Sequence, residues 1–262
     1  MIPRYEYRAL LACDIAGSAG RGERRLQEIR GALRSALADA LGAVDLDVRD
    51  FTYGDTGDGC RLVAPARLPK AALLSPLLPE LAVRIRAHNR QAGADTRLQV
   101  RVAVHAGEIR LDPDGAVSGA PFEALARLLD SDPLRRATLT GTGGTPLAAI
   151  LSHHVYDDTV GHGHEGLDAD AFTAADVRVK EYAARAWLWY PGSPIGPRAG
   201  SDPVSGRDSD SASVDRPAPR PERPAPSEPR TASVEQLVRA TGHATVFAAH
   251  RGDQYIRHND RG

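Results

Sequence analysis

Apolar and polar positions alternate in some stretches of the chain and recur at helical spacing in others. The first alternating stretch is mostly apolar, with Tyr7, Ala9, Leu11 and Cys13 on one face, which predicts a buried central strand. A helix is predicted next, with Leu26, Ile29, Leu33, Leu37 and Leu41 on one stripe. Residues 43–51 alternate through Val44, Leu46 and Val48 and read as a half-buried strand. Residues 52–59 supply turn chemistry, and 60–64 predict a second short strand, so that the two strands form a hairpin. Pro69 opens a helical region carrying Leu74, Leu77, Leu78, Leu81 and Ile85, which fades at Gly93. Residues 98–104 alternate again and end at His105-Ala106-Gly107. A turn around Asp112 to Gly115 leads into a helix with Phe122, Leu125 and Leu129. Residues 147–151 predict a strand, a polar His- and Gly-rich loop follows, and residues 177–180 and 186–190 predict a closing hairpin.

This order predicts an α+β fold, with helices packed on a largely antiparallel sheet in a ferredoxin-like split βαβ arrangement. The pattern stops near Pro191. Residues 192–233 are rich in Pro, Ser, Arg, Asp and Gly, cannot bury a core, and read as a disordered linker after a domain spanning 1–191. In the tail, 234–262, residues 244–248 and 254–256 carry a short hairpin signal. Too small to fold alone, the tail is expected to dock on a protein partner.

Composition changes this picture little. With 262 residues, 42% of them hydrophobic, the chain can build one sizeable domain, and its net charge of −1 gives no bias toward nucleic acid or membrane. No apolar run is long enough to span a membrane, and the N-terminus lacks the basic and apolar regions of a signal peptide. Two cysteines, Cys13 and Cys60, make no disulfide scaffold and point to a reduced, cytoplasmic setting.

The candidate chemistry starts at the end of the first strand. Asp14 stands there, followed by small residues including Gly17 and Gly20, and then by a helix. Open sheets place their chemistry at such strand ends, and glycines let backbone N–H groups approach an anion. The alternative is a tight turn in which Asp14 caps the helix. Asp58, between Gly57 and Gly59, is a second carboxylate of the same kind, and the two together could hold one or two Mg²⁺ ions. His153, His154, His162 and His164 with Asp157 and Asp158 match no closed zinc spacing and read as a solvated loop. Trp187, Trp189 and Tyr190 read as strand packing.

The stretch Cys13-Asp14-Ile15-Ala16-Gly17-Ser18, taken with Gly57-Asp58-Gly59, resembles the class III nucleotidyl cyclases. So do the later stretches 101–107, 119–128 and 177–180, in the same order, over about residues 5 to 191. The resemblance implies a homodimer with composite sites. It also implies attack of a ribose 3′-oxygen on the α-phosphorus of a nucleoside triphosphate, with two Mg²⁺ or Mn²⁺ ions per site. Asp14 and Asp58 would be the metal ligands, helped by the Ile15 carbonyl. Ala16, Gly17, Ser18 and Ala19 would offer backbone N–H groups to phosphate oxygens. Arg127 would neutralise charge at the α-phosphoryl group and Lys180 would meet the terminal phosphates. The chain departs from the family at three places: Gly54, next to Tyr53, and Ala116 stand at the base-reading positions, and Glu123 stands at the helix asparagine. These departures leave two alternatives open. One is a cyclase of unusual base preference, similar to the pyrimidine cyclases of bacterial phage defence. The other is a catalytically silent nucleotide-binding module recruited through its tail.

Overall fold

A computed structural model describes residues 3–140 and 145–193; the rest of the expected linker at 192–233 and the tail at 234–262 lie outside the described residues. The chain runs β1 (Arg4–Ile15), α1 (Glu23–Ala43), β2 (Thr52–Asp55), β3 (Gly59–Val63), α2 (Lys70–Leu74) and α3 (Leu77–Gln91). It continues through β4 (Val100–Leu111), the short β5 (Val117–Ser118), α4 (Ala120–Leu129), α5 (Asp132–Thr140), β6 (Leu147–Ser152), α6 (His153–Asp158), β7 (Phe172–Val179) and β8 (Tyr182–Trp189). The sheet order is β2-β3-β1-β4-β6-β8-β7, with β5 paired to β4. Every pairing is antiparallel except β4 with β6. This is the expected α+β class.

β1 is apolar on both faces because both faces are covered. Ala9, Leu11, Cys13 and Ile15 join one core with Ile29, Leu33, Leu37 and Leu41 of α1 and with the leucines of α2 and α3. Leu10 and Ala12 join a second core with Leu125 and Leu128 of α4, Leu134 of α5 and residues of β7 and β8. Alternation therefore splits β1 between two helix layers rather than between core and water.

Four expectations shift. The strand expected over 43–51 does not form. α1 runs to Ala43, Asp45 takes a φ of 57°, and Asp47 accepts the Arg49 N–H to start a 3₁₀ turn at Val48–Asp50. Val44, Leu46 and Val48 still pack on the core, but from a turn, so their alternation mimicked a strand. The hairpin's first strand is instead β2, inside the stretch read as turn residues. The strand expected to end at Gly107 continues to Leu111, because β1 pairs with it residue by residue from Ile15–Val100 to Arg4–Leu111. The helical region after Pro69 breaks at Ser75-Pro76 into α2 and α3, where proline offers no N–H to an unbroken helix. The His-rich segment read as a loop begins as α6, capped by the Ser152 hydroxyl, which accepts the Val155 N–H.

Candidate active site

Antiparallel pairing sets Asp14 directly opposite Gly59 on β3 and Arg101 on β4. Gly59 is obligatory there: a Cβ on it would lie 1.9 Å from the Cys13 carbonyl oxygen. That close approach brings the β2–β3 turn against the end of β1, and the Ile15 N–H donates to the Asp58 carbonyl at 3.1 Å. The Ser18 hydroxyl donates to the Asp58 carboxylate at 2.7 Å, so the turn after β1 is tied to the same residue. Asp14 and Asp58 line one cleft of about 260 Å³, whose opposite wall is the apolar face of α4, with Phe122, Leu125 and Leu129. Asp14 caps no helix; α1 begins at Glu23, after Gly22.

The electrostatics are those of a crowded anionic corner. Burial raises the Asp14 carboxyl above its ordinary range, Arg101 opposes that shift, and the Asp58 charge adds to it. The Arg101 guanidinium grips Asp14 with two bonds, Nε to Oδ1 at 2.8 Å and Nη2 to Oδ2 at 2.6 Å. Among the described residues, no third His, Cys, Asp or Glu joins the two carboxylates in a group able to hold a metal ion.

The turn that follows is only partly free. The Ala16 N–H donates to the Gln99 carbonyl at 2.8 Å, and so it is unavailable to a phosphate. Gly17, with φ of 65°, turns the chain outward, and Gly17 and Ala19 are exposed. Tyr53 does not line the cleft with Asp14; it lines a neighbouring crevice against α1, with Arg30 and Arg34, and Asp58 borders both. Gly54 sits opposite Arg61 in register, and the Arg61 guanidinium lies in contact range of the position of a Cβ at 54, 3.6 Å from it.

The remaining expected residues stand elsewhere. Arg127 leaves the opposite side of α4 and donates to Glu181 at 3.0 Å, not to Glu123 one helical turn away. Lys180 shares the β7–β8 turn with Glu181, and its φ is 54°. β7 is four strands from β1, about 20 Å across the sheet. The structure thus brings Asp14, Asp58 and Ser18 together, and separately Arg127 and the Lys180 turn; it does not bring the two groups into one cleft.

Two residues in this geometry were not singled out from sequence. Arg101 lay in a stretch read for its alternation, and only the β1–β4 register aims it at Asp14. Arg61 stacks over Phe122, 4.4 Å from the ring centroid, and lines the Asp14 cleft.

No family model matches the chain, and no curated protein matches it. Solved structures do. An adenylate/guanylate cyclase/hydrolase from Silicibacter pomeroyi superposes with a TM-score of 0.52 at 21% identity, over 72% of this chain and 99% of that one. The guanylyl cyclase Cya2 superposes with a TM-score of 0.51 at 16% identity, over 76% of this chain and 100% of that one. The fold is that of the class III adenylate/guanylate cyclase catalytic domains. Among the described residues, no helix of this cyclase fold is long and apolar enough to cross a membrane.

Proposed function

We propose that the chain is a nucleotidyl cyclase that works as a homodimer. It would convert a nucleoside triphosphate to a 3′,5′-cyclic nucleotide and pyrophosphate, with an unusual base preference. The observation that carries this reading is the convergence of Asp14 and Asp58 on one cleft, with Arg127 and Lys180 on a separate surface of the same fold. Two copies related by a two-fold axis would present the second group of one chain to the first group of the other.

The donor set suits Mg²⁺ or Mn²⁺, because it is all oxygen and the Asp58 charge makes ionisation of the partly buried Asp14 costlier, a cost that a bound cation would relieve. Asp14, Asp58 and the Ile15 carbonyl would hold the ions, which when bound supply charge neutralisation at the triphosphate and activation of the attacking oxygen. The chain's own groups do the rest. N–H groups of Gly17, Ser18 and Ala19 orient phosphate oxygens. Arg127 of the other subunit stabilises charge at the α-phosphoryl group, and Lys180 holds the terminal phosphates. Arg101 must release Asp14, and its freed guanidinium then lies beside the cleft as a fork for phosphate oxygens. At the base, Arg61 lies next to Gly54 and offers donors beside the Phe122 ring, which favours a base with carbonyl acceptors over adenine.

Arg101 also supports the second reading. With both Asp14 oxygens engaged by one guanidinium, a silent nucleotide-binding module is built at no further cost. Incubating the purified protein with each of the four nucleoside triphosphates and Mn²⁺ separates the two. A cyclic product from any one establishes the enzyme. Nucleotide binding without product under all four conditions overturns it in favour of the silent module.

A further inference from the structure

On the other face of the sheet lies a larger cavity, of about 600 Å³, between the start of α1, the second half of α3 and the segment entering β4. Among the described residues four arginines line it, Arg21, Arg86, Arg90 and Arg97, and no carboxylate does. Two of its neutral polar side chains, Asn89 and Gln99, are already engaged. Asn89 exchanges two bonds of 2.7 Å with the backbone of Leu98, and the Gln99 amide is bonded to the Thr138 carbonyl. Arg21 is a structural strut: it donates to the carbonyls of Gly17 at 2.8 Å, Asp95 at 3.1 Å and Arg97 at 3.0 Å. The Asp95 carboxylate is taken by Arg25. Among the described residues the side chains of Arg86, Arg90 and Arg97 make no ion pair or hydrogen bond.

Such an arrangement is unfavourable by itself. Arg86 and Arg90 are four apart on α3, where like charges repel, and Arg21 adds a further cation. Charge of one sign gathered in a concave wall attracts a multiply charged anion. Guanidinium rather than ammonium groups favour one with flat, forked acceptor pairs, which phosphate oxygens provide. The volume falls within the range of small-molecule sites.

We propose that this cavity is a polyphosphate-binding site, distinct from the Asp14–Asp58 cleft, that takes a chain of two or three linked phosphates. Arg86, Arg90 and Arg97 would supply the contacts. The site touches the turn after β1 twice: Arg21 holds the Gly17 carbonyl, and Gln99 accepts the Ala16 N–H. If that turn binds substrate phosphates, as in the function proposed above, occupancy of the cavity stiffens the loop that does so; binding itself does not depend on that reading.

The test is calorimetric titration of the full chain with inorganic tripolyphosphate in EDTA at low salt, where no metal-dependent site can contribute. One site per chain is expected. It should survive Asp58→Asn and weaken at least tenfold in Arg86→Gln/Arg97→Gln, with circular dichroism confirming that both variants are folded. A nucleoside triphosphate that competes at equal affinity would mark a nucleotide as the source of the phosphates, and one that fails to compete would mark a free polyphosphate; either result supports the site. Absence of binding, binding unchanged in the double arginine variant, or binding lost in Asp58→Asn would overturn it. So would equal binding of citrate, which carries charge without phosphate. Because the titration needs no metal and no turnover, a protein that makes no cyclic nucleotide leaves this result standing.

Discussion

Arg101–Asp14 and Arg127–Glu181 are arginine–carboxylate pairs of the same chemistry in different settings. Arg101 and Asp14 meet across two central strands, with side chains 16% and 14% exposed. Arg127 and Glu181 meet between a helix and a hairpin turn, at 27% and 78%. Register and flanking cores dictate the first pair, and its partners are held in place whether or not they attract each other. The second rests on long side chains reaching across the surface, and water competes with it. The difference teaches where function would need a second molecule. The carboxylate corner is built by one chain, whereas Arg127 and Lys180 project from a surface that a partner could complete.

The largest effect tests that division. Asp58→Asn and Arg127→Ala should each lower cyclic nucleotide formation by at least about a thousandfold, since each removes charge stabilisation of several kcal/mol at the phosphoryl group. Mixed and allowed to exchange subunits, the two inactive variants should recover about a quarter of wild-type activity, because half of the dimers carry one intact site. No recovery, with exchange verified by differential tagging, would mean that the site is built within one chain.

Stability separates the two pairs next. Arg101→Ala leaves Asp14 largely buried without its counter-charge and should cost about 2–3 kcal/mol, read as a lower midpoint in urea denaturation. An unchanged midpoint would show that water already reaches Asp14.

A half-buried histidine gives a smaller effect confined to acid. Desolvation, with a lesser contribution from His154, holds His105 down to about 4 from 6.5, and its Nδ1 lies 2.9 Å from the Ser152 hydroxyl. The unfolded chain therefore binds a proton that the folded chain refuses between pH 6.5 and 4. Stability contributed by neutral His105 is present above that window and lost as pH falls through it, by at most about 2–3 kcal/mol. His105→Gln should flatten this part of a stability–pH curve, and an unaltered slope would assign the acid sensitivity elsewhere. The smallest expected change is that of Glu181→Ala, which should leave the midpoint of the same denaturation assay unmoved, because the pair it breaks is exposed.

The sequence by itself determined most of the element order and the chemistry at the strand ends. The stripe of α1, the alternation of β1 and the acidic residues beside glycines are local signals, set by period and residue type, and they lead to the α+β class and to Asp14 and Asp58. It misled at 43–51, where three apolar side chains at alternate positions pack from a turn as well as they would from a strand. Tertiary structure alone decided what faces what. The grip of Arg101 on Asp14 depends on a register that joins residues 87 apart, and Arg61 reaches the space beside Gly54 only because β2 and β3 pair as they do. The basic cavity gathers arginines from three separate segments, none of which is unusual alone. Pairing and packing over such separations are fixed by the whole core at once, which is why no local pattern could announce them.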